Sequence, residues 1–203
     1  MRIILIRHLP TPGNEKHQYI GTTDENLSRG AVERFRQENR IYPQAEYIIA
    51  SPMKRCLETA QLIYPNREIR VEPGLRECAF GEFEGKTYEE LKNHPAYVMW
   101  LESGGMTAFP GGESQEKFRT RCVESIKKWI RLLLKGHAQS AAFVVHGGTI
   151  MAVMEKLSEE QMEFYHWQVE NGGGYEAEVQ EEDWAEHREI LRKITKLEKR
   201  NHL

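Results

Sequence analysis

Three apolar runs, at residues 3–6, 47–50 and 141–145, are hydrophobic at nearly every position rather than at alternate ones. A strand of that kind buries both faces, so it belongs inside a parallel sheet covered by helices on either side. The segments between the runs supply the helices. Ser28 is placed to cap a helix reaching about Asn39, and Pro52 opens another in which Cys56, Leu57, Ala60 and Ile63 or Tyr64 recur at helical intervals. Residues 69–71 read as a further strand. The clearest helix carries Phe118, Cys122, Ile126, Trp129, Ile130 and Leu133, an apolar stripe over roughly six turns. Strand alternating with helix predicts an α/β fold, a three-layer sandwich with a mostly parallel central sheet flanked by helices. At 203 residues a single domain spanning 1–203 is expected.

Between residues 72 and 112 the period is lost to turns and two short amphipathic pieces, at 87–93 and 97–102. This segment reads as a small lid-like insertion over the sheet edge. Its aromatic residues, Phe80, Phe83, Tyr88, Tyr97, Trp100 and Phe109, either pack the insertion itself or wall a substrate. Further on, residues 149–157 and 159–168 are predicted helices, 171–174 a turn and 175–179 a strand. Residues 188–196 fit two readings: Ile190, Leu191, Ile194 and Leu197 have helical spacing, but the segment also suits a hairpin with the preceding strand. The charge-rich stretch after Glu181 reads as a solvated face.

Charge and cysteine usage narrow the function. A net charge of −3 gives no long-range attraction to a phosphate backbone, which argues against nucleic acid as a partner. Cys56, Cys78 and Cys122 are odd in number and contain no C-x-x-C pair. That argues against a disulfide framework or structural zinc and points to a reducing cytoplasm. The first apolar run is too short for a signal peptide core and no later run approaches a membrane span, so no membrane association is expected.

Two predicted strands run directly into histidine, residues 3–7 into His8 and 141–145 into His146. In an open parallel sheet, ligands bind at the carboxyl ends of the strands, where the following helices begin with unpaired N–H groups. Both imidazoles therefore face one crevice. A third strand ends at Ser51-Pro52, and Arg55 in the next helical turn can join Arg7 there. Two arginines, two histidines and helix N-termini make an anion pocket of phosphate type, because guanidinium forks match phosphate oxygens in pairs. No H-x-H or H-E-x-x-H spacing occurs and carboxylates near these histidines are sparse, so no metal is expected and covalent catalysis is favoured. His17, His94, His137, His166, His187 and His202 are read as surface or packing residues.

Five motifs occur in order over nearly the whole chain: Arg7-His8 with Thr11 and Asn14, then Ser51-Pro52-x-x-Arg55-x-x-x-Thr59-Ala60, then Leu75-Arg76-Glu77 with Phe80-Gly81-x-Phe83-Glu84-Gly85, then Pro110-Gly111-Gly112-Glu113-Ser114, and His146-Gly147. In this set the sequence resembles the histidine phosphatase superfamily, and most of all its α-ribazole phosphatase and cofactor-dependent phosphoglycerate mutase-like branch. The resemblance implies a metal-independent phosphomonoesterase that works through phosphohistidine without a cofactor. It implies His8 as nucleophile, kept neutral by nearby cations, with Arg7, Arg55 and His146 on the equatorial oxygens. Asn14, Gly21 and the backbone N–H of Gly147 are the implied substrate-binding groups. Glu77 is the implied acid and base, with Glu82, Glu84 and Glu113 as neighbouring alternatives.

The implied partner is a small-molecule phosphomonoester. α-Ribazole 5'-phosphate, used in building the cobalamin nucleotide loop, or a broader set of esters comes first, and a phosphoglycerate mutase is the alternative. Members of the family commonly carry glycine and then glutamate after the nucleophilic histidine. Leu9 and Pro10 stand there in this chain, so Leu9 must keep a negative φ and Pro10 offers no N–H. The oligomeric state is open, a homodimer being one option.

Overall fold

The structure, a computed structural model, describes residues 1–197 apart from Asn39 and Met106, together with the backbone of residues 200 and 201. Its elements in chain order begin with β1 (Arg2–Arg7), α1 (Pro12–Glu15), α2 (Arg29–Glu38), β2 (Arg40–Ile41), β3 (Tyr47–Ala50), α3 (Lys54–Ile63) and β4 (Ile69–Val71). Two 3-10 turns (Pro73–Leu75 and Gly81–Phe83), α4 (Tyr88–Leu91) and α5 (Pro95–Glu102) follow, then α6 (Gln115–Lys135), β5 (Ser140–Val145) and α7 (Gly147–Leu157). A 3-10 turn (Phe164–Trp167), β6 (Gly174–Glu178), α8 (Glu181–Ala185), β7 (Arg192–Lys196) and β8 (Arg200–Asn201) complete the chain.

Six strands form one sheet in the order β4-β3-β5-β1-β6-β7, and β2 pairs with β8 apart from it. β4, β3, β5 and β1 pair in parallel, whereas β6 is antiparallel to β1 and β7 to β6. The apolar runs explain why both faces are covered. Alternate residues of a strand point to opposite faces. Ile3 and Leu5 of β1 and Phe143 and Val145 of β5 pack with Ile126, Ile130 and Leu133 of α6 and Ile150 and Val153 of α7. Ile4, Ile6, Ala142 and Val144 face the other way, onto Cys56 and Ala60 of α3 and onto Tyr42 and Tyr64. The molecule is thus a mixed α/β fold, a mostly parallel sheet flanked by helices, as the sequence pattern predicts.

Local chemistry sets the helix ends. Ser28 Oγ accepts from Ala31 N–H at 3.1 Å and caps α2, whose expected last residue, Asn39, lies outside the described residues. Ser114 Oγ accepts from Lys117 N–H and starts the 21-residue α6, which ends at Gly136. α3 begins at Lys54, two residues beyond Pro52, and α7 begins at Gly147 with His146 as its N-cap, two residues before the expected start.

Three expectations change. Residues 159–168 contain a 3-10 turn at Phe164–Trp167 instead of forming a helix, because Gln161 adopts φ 49° and Glu163 is extended. Residues 192–196 form a strand of the hairpin with β6, which settles the two readings of that segment. The stretch after Glu181 is packed rather than solvated throughout: Trp184 and Leu191 enter the core, and buried Asp183 pairs with Arg188 and Arg192. Residues 73–112 build an apolar cluster of their own, in which Cys78, Phe83, Leu91, Tyr97 and Phe109 meet Phe118 and Cys122 of α6. All three cysteines are free and buried, and among the described residues no helix is long and apolar enough to cross a membrane.

Phe143 is wholly buried mid-sheet between Leu5 and Ile49. Phe143→Ala leaves a cavity that flanking strands cannot collapse into, and should cost about 3–5 kcal/mol. The midpoint and slope of urea unfolding check this, and a loss below about 1 kcal/mol would show that the sheet centre is not the packed core described.

Candidate active site

The parallel pairing of β1 with β5 sets Arg7 opposite Val145, and His8 N–H continues the ladder by donating to Val145 O at 2.9 Å. The residues that follow are His8 and His146, whose rings meet edge to face with centroids 5.3 Å apart. Both are buried, at 4% and 0% exposure. His8 Nδ1 lies 2.7 Å from Leu9 O. A carbonyl oxygen only accepts, so this contact places the proton on Nδ1 and leaves the lone pair on Nε2. His146 Nε2 lies 2.7 Å from Ser51 Oγ, with Cys56 Sγ at 3.6 Å.

The residues after His8 serve through their backbone. Leu9 does not take a positive φ, and its N–H donates to Thr59 Oγ1 at 3.0 Å, which in turn donates to Arg55 O. Pro10 contributes its carbonyl, accepting from Ser28 N–H. Leu9 and Pro10 therefore fit the loop, but neither offers an N–H to a ligand. From the opposite side, Asn171 Nδ2 donates to His8 O and Gly172 N–H to Arg7 O. Gly172 has φ 75°, and a Cβ there would stand 3.0 Å from Leu9 Cδ2, so this loop requires glycine.

Both arginines are drawn in. Arg7 donates through Nη1 to Val169 O at 2.7 Å, and its guanidinium lies against Gly147, where a Cβ would come within 3.3 Å of it. Arg55 is 0% exposed and donates through Nη1 to Thr23 O and through Nη2 to Gly21 O. Each guanidinium also keeps a buried Nε–H with no hydrogen-bond partner. Buried N–H groups are rarely left so, and those on charged groups are the most costly. Burial, and then the charges of Arg55 and Arg7, hold the His8 pKa well below its usual value, outweighing the opposing hydrogen bond to Leu9 O. Burial and Arg55 act on His146 in the same direction.

A cavity of about 250 Å³ opens beside this cluster; Arg7, His8, Asn14 and Glu77 line it, whereas Arg55 and His146 lie fully buried behind the lining. Asn14 Oδ1 accepts from Thr11 N–H and Asn171 Nδ2, which fixes the amide and leaves its NH2 as the group to offer a ligand. Gly147 lines the cavity as the first residue of α7. Glu77 Oε1 accepts from Cys78 N–H, and burial raises its pKa despite that bond and the charges of Arg55 and Arg7. The alternative carboxylates do not line the cavity. Glu113 pairs with Arg121, which also donates to Gly74 O and Arg76 O and so braces the chain just before Glu77. Glu84 accepts from the N–H groups of Gly21, Thr22, Thr23 and Phe80, and Glu82 is exposed.

Gly21 supports Arg55 instead of lining the cavity: its carbonyl accepts from Arg55, its N–H is taken by Glu84, and a Cβ would strike Cys78 O. The aromatic residues of the 73–112 segment divide. Phe80, Trp100 and Phe109 line the cavity, Phe83 and Tyr97 are core, and Tyr88 is exposed. Tyr19, Tyr165 and Gln168 also line it, unmarked by any sequence motif. His17, His94, His137, His166 and His187 stay outside the cavity, and His202 lies outside the described residues. Among the described residues no three or more His, Cys, Asp or Glu side chains converge as a metal-binding group.

Residues 3–189 match the sequence profile of the histidine phosphatase superfamily, branch 1. The chain belongs to this superfamily. It is an enzyme of the histidine phosphatase type. A protein of Hydrogenobacter thermophilus provisionally named phosphoserine phosphatase 2 is 30% identical over 159 residues, covering 75% of this chain and 76% of that one. Two solved structures share the fold. The α-ribazole phosphatase of Shigella flexneri superposes with TM-score 0.76 at 23% identity, covering 89% of this chain and 92% of its own. A phosphoserine phosphatase of Entamoeba histolytica, in complex with 3-phosphoglyceric acid, gives 0.73 at 23% identity, covering 100% and 97%.

The two histidines of this phosphatase bind protons more weakly folded than unfolded, so their contribution to stability is full above the usual pKa of 6.5 and is lost as pH falls towards their lowered folded values. Unfolding free energy should therefore decline below pH 6.5 by up to about 1.4 kcal/mol per pH unit for each histidine. Urea unfolding from pH 8 to 5 measures it. The double variant His8→Gln with His146→Gln should flatten the profile; an equally steep decline in that variant would show that other groups carry it.

Proposed function

We propose that this enzyme hydrolyses small phosphomonoesters without a metal, through a phosphohistidine on His8, and that its substrates have uncharged, flat leaving groups. Among the described residues Arg7, Arg40, Arg55 and Arg119 each keep a buried Nε–H without a partner, and the observation that carries the reading is that two of these, Arg7 and Arg55, are the cations whose charge acts on His8. A tetrahedral oxyanion supplies the acceptors they lack.

The Nε2 lone pair of His8 attacks phosphorus, a P–N bond forms and the ester P–O bond breaks. Arg7, Arg55, His146, Asn14 and the Gly147 N–H stabilise the equatorial oxygens. Glu77, held protonated to higher pH by burial, gives its proton to the leaving oxygen. The resulting carboxylate takes a proton from water, whose oxygen attacks phosphorus as the P–N bond breaks, and phosphate leaves. The free, buried thiols suit a reducing compartment, and we place the enzyme in the cytoplasm.

The cavity wall supports the choice of leaving group. Phe109 meets Phe80 edge to face and lies tilted against Trp100, with centroids 5.1 and 5.2 Å apart. Among the described residues that line the cavity, Arg7 is the sole arginine or lysine, and it serves the phosphate. Phosphoserine and phosphoglycerates carry a carboxylate to which this wall offers no second cation, which argues against the mutase reading. α-Ribazole 5'-phosphate, with an uncharged aromatic base, suits it.

His8→Ala should abolish turnover of p-nitrophenyl phosphate in excess EDTA, and Glu77→Gln should slow it by about 100-fold or more while inorganic phosphate still binds. Acid-quench capture of phosphoenzyme checks the first step, and label on a residue other than His8 would overturn the assignment. In a kinetic screen, α-ribazole 5'-phosphate should exceed phosphoserine and 3-phosphoglycerate in kcat/KM by at least roughly tenfold, the worth of about 1.4 kcal/mol of carboxylate desolvation. Phosphoserine as best substrate would refute the uncharged wall, and 2,3-bisphosphoglycerate-dependent isomerisation would establish the mutase.

A further inference from the structure

Residues 21–23 form a short loop gripped on both edges. Along one edge, Glu84 accepts from Gly21 N–H at 3.0 Å, Thr22 N–H at 2.8 Å and Thr23 N–H at 3.4 Å, and from the hydroxyls of Thr22 and Thr23 at 3.2 and 2.8 Å. Along the other edge, the carbonyls of Gly21 and Thr23 accept from the two terminal nitrogens of Arg55, at 2.8 and 2.9 Å. A sixth donor to Glu84, Phe80 N–H at 3.1 Å, belongs to a residue of the cavity wall.

We propose that Glu84 is a positioning residue for phosphate binding: its carboxylate fixes the 21–23 loop, and the loop's two carbonyls aim the Arg55 guanidinium at the anion. A guanidinium on a flexible stem has many rotamers, and binding at a fixed point demands one of them. The two carbonyls select it by taking both terminal nitrogens, and leave the buried Nε–H without a protein partner. Carbonyls can do so only if the loop is itself held; Gly21 is buried against Cys78 O, but Thr22 and Thr23 are exposed and have little packing to hold them. One carboxylate accepting five hydrogen bonds from three consecutive residues provides that restraint. Burial alone would raise the Glu84 pKa, but the bonds from Thr22, Gly21, Thr23 and Phe80 lower it, so the group stays ionised as an acceptor. This inference rests on the phosphate-cradle reading of Arg7 and Arg55, though not on the reaction that follows.

Glu84→Gln keeps the shape but turns an NH2 towards N–H donors. Calorimetric titration with inorganic phosphate and kcat/KM on p-nitrophenyl phosphate should both fall, by on the order of 10- to 100-fold, equally for every ester tested. In an Arg55→Ala background the same change should add no further loss of phosphate affinity, because Glu84 acts through that guanidinium. A purely structural role would make the two losses multiply, which would overturn the proposal, as would wild-type phosphate affinity in Glu84→Gln. If that variant does not fold, Thr22→Val with Thr23→Val removes two of the donors. It should give a smaller loss that again vanishes without Arg55, and multiplying losses there count equally against it. Coupled loss of phosphate affinity in a protein that turns over no ester would uphold Glu84 and refute hydrolysis instead.

Discussion

The register of β1 against β5 governs the site. Arg7 lies opposite Val145, so the chain leaves both strands at the same level and His8 and His146 emerge side by side. A slip of one residue would turn the apolar side chains of β1 to the wrong faces, and both faces are packed, so the register is closely specified. The histidines inherit that precision. The antiparallel neighbour on the other side adds to it, since the loop entering β6 bonds to the backbone of Arg7 and His8 through Asn171, Gly172 and Gly173.

Burial at the strand ends then decides the protonation states. The imidazoles are kept neutral, and burial moves Glu77 in its uncharged direction as well. What remains charged is the arginine pair, and no carboxylate forms an ion pair with either guanidinium among the described residues. Partly exposed arginines elsewhere in the fold have such a partner, as Arg192 does in Asp183 and Arg121 in Glu113. Arg7 and Arg55 instead bond to neutral carbonyls, which orient them without cancelling their charge. A site assembled in this way keeps its positive potential for an incoming dianion.

Much of this was legible in the sequence because strand ends are local features. An apolar run that stops at His8 or His146 announces both a buried strand and the point where it meets solvent or ligand. Arg55 was legible for the same reason, one helical turn after a strand end. Gly21 was harder, since its carbonyl contact with Arg55 and its close approach to Cys78 O join residues distant in the chain. Glu77, Glu82, Glu84 and Glu113 look alike in sequence, and their partners tell them apart: a cavity, water, a backbone loop and Arg121. The 159–168 segment has helical spacing at Phe164 and Trp167, but i and i+3 also meet in a 3-10 turn, so period alone could not decide. The stretch after Glu181 hides Trp184 and Leu191 among charges, and its burial depends on Arg188 and Arg192 finding Asp183.

The division of the site between two parts of the chain follows from the geometry of phosphoryl transfer. On the proposed mechanism the attacking and leaving atoms lie on opposite sides of phosphorus. The nucleophile is fixed by the sheet, so the acid has to come from elsewhere, on the side where the leaving group sits. Glu77 does come from elsewhere, on the segment that also supplies Phe80, Trp100 and Phe109 to the wall. Acid and wall are therefore one structural unit, with an apolar cluster of its own against α6. Such a unit can change its side chains without disturbing the strand ends, provided it remains tied to the cradle. The hydrogen bonds that Glu84 accepts from residues 21–23 are a tie of that kind, joining the segment that meets the leaving group to the loop that holds Arg55.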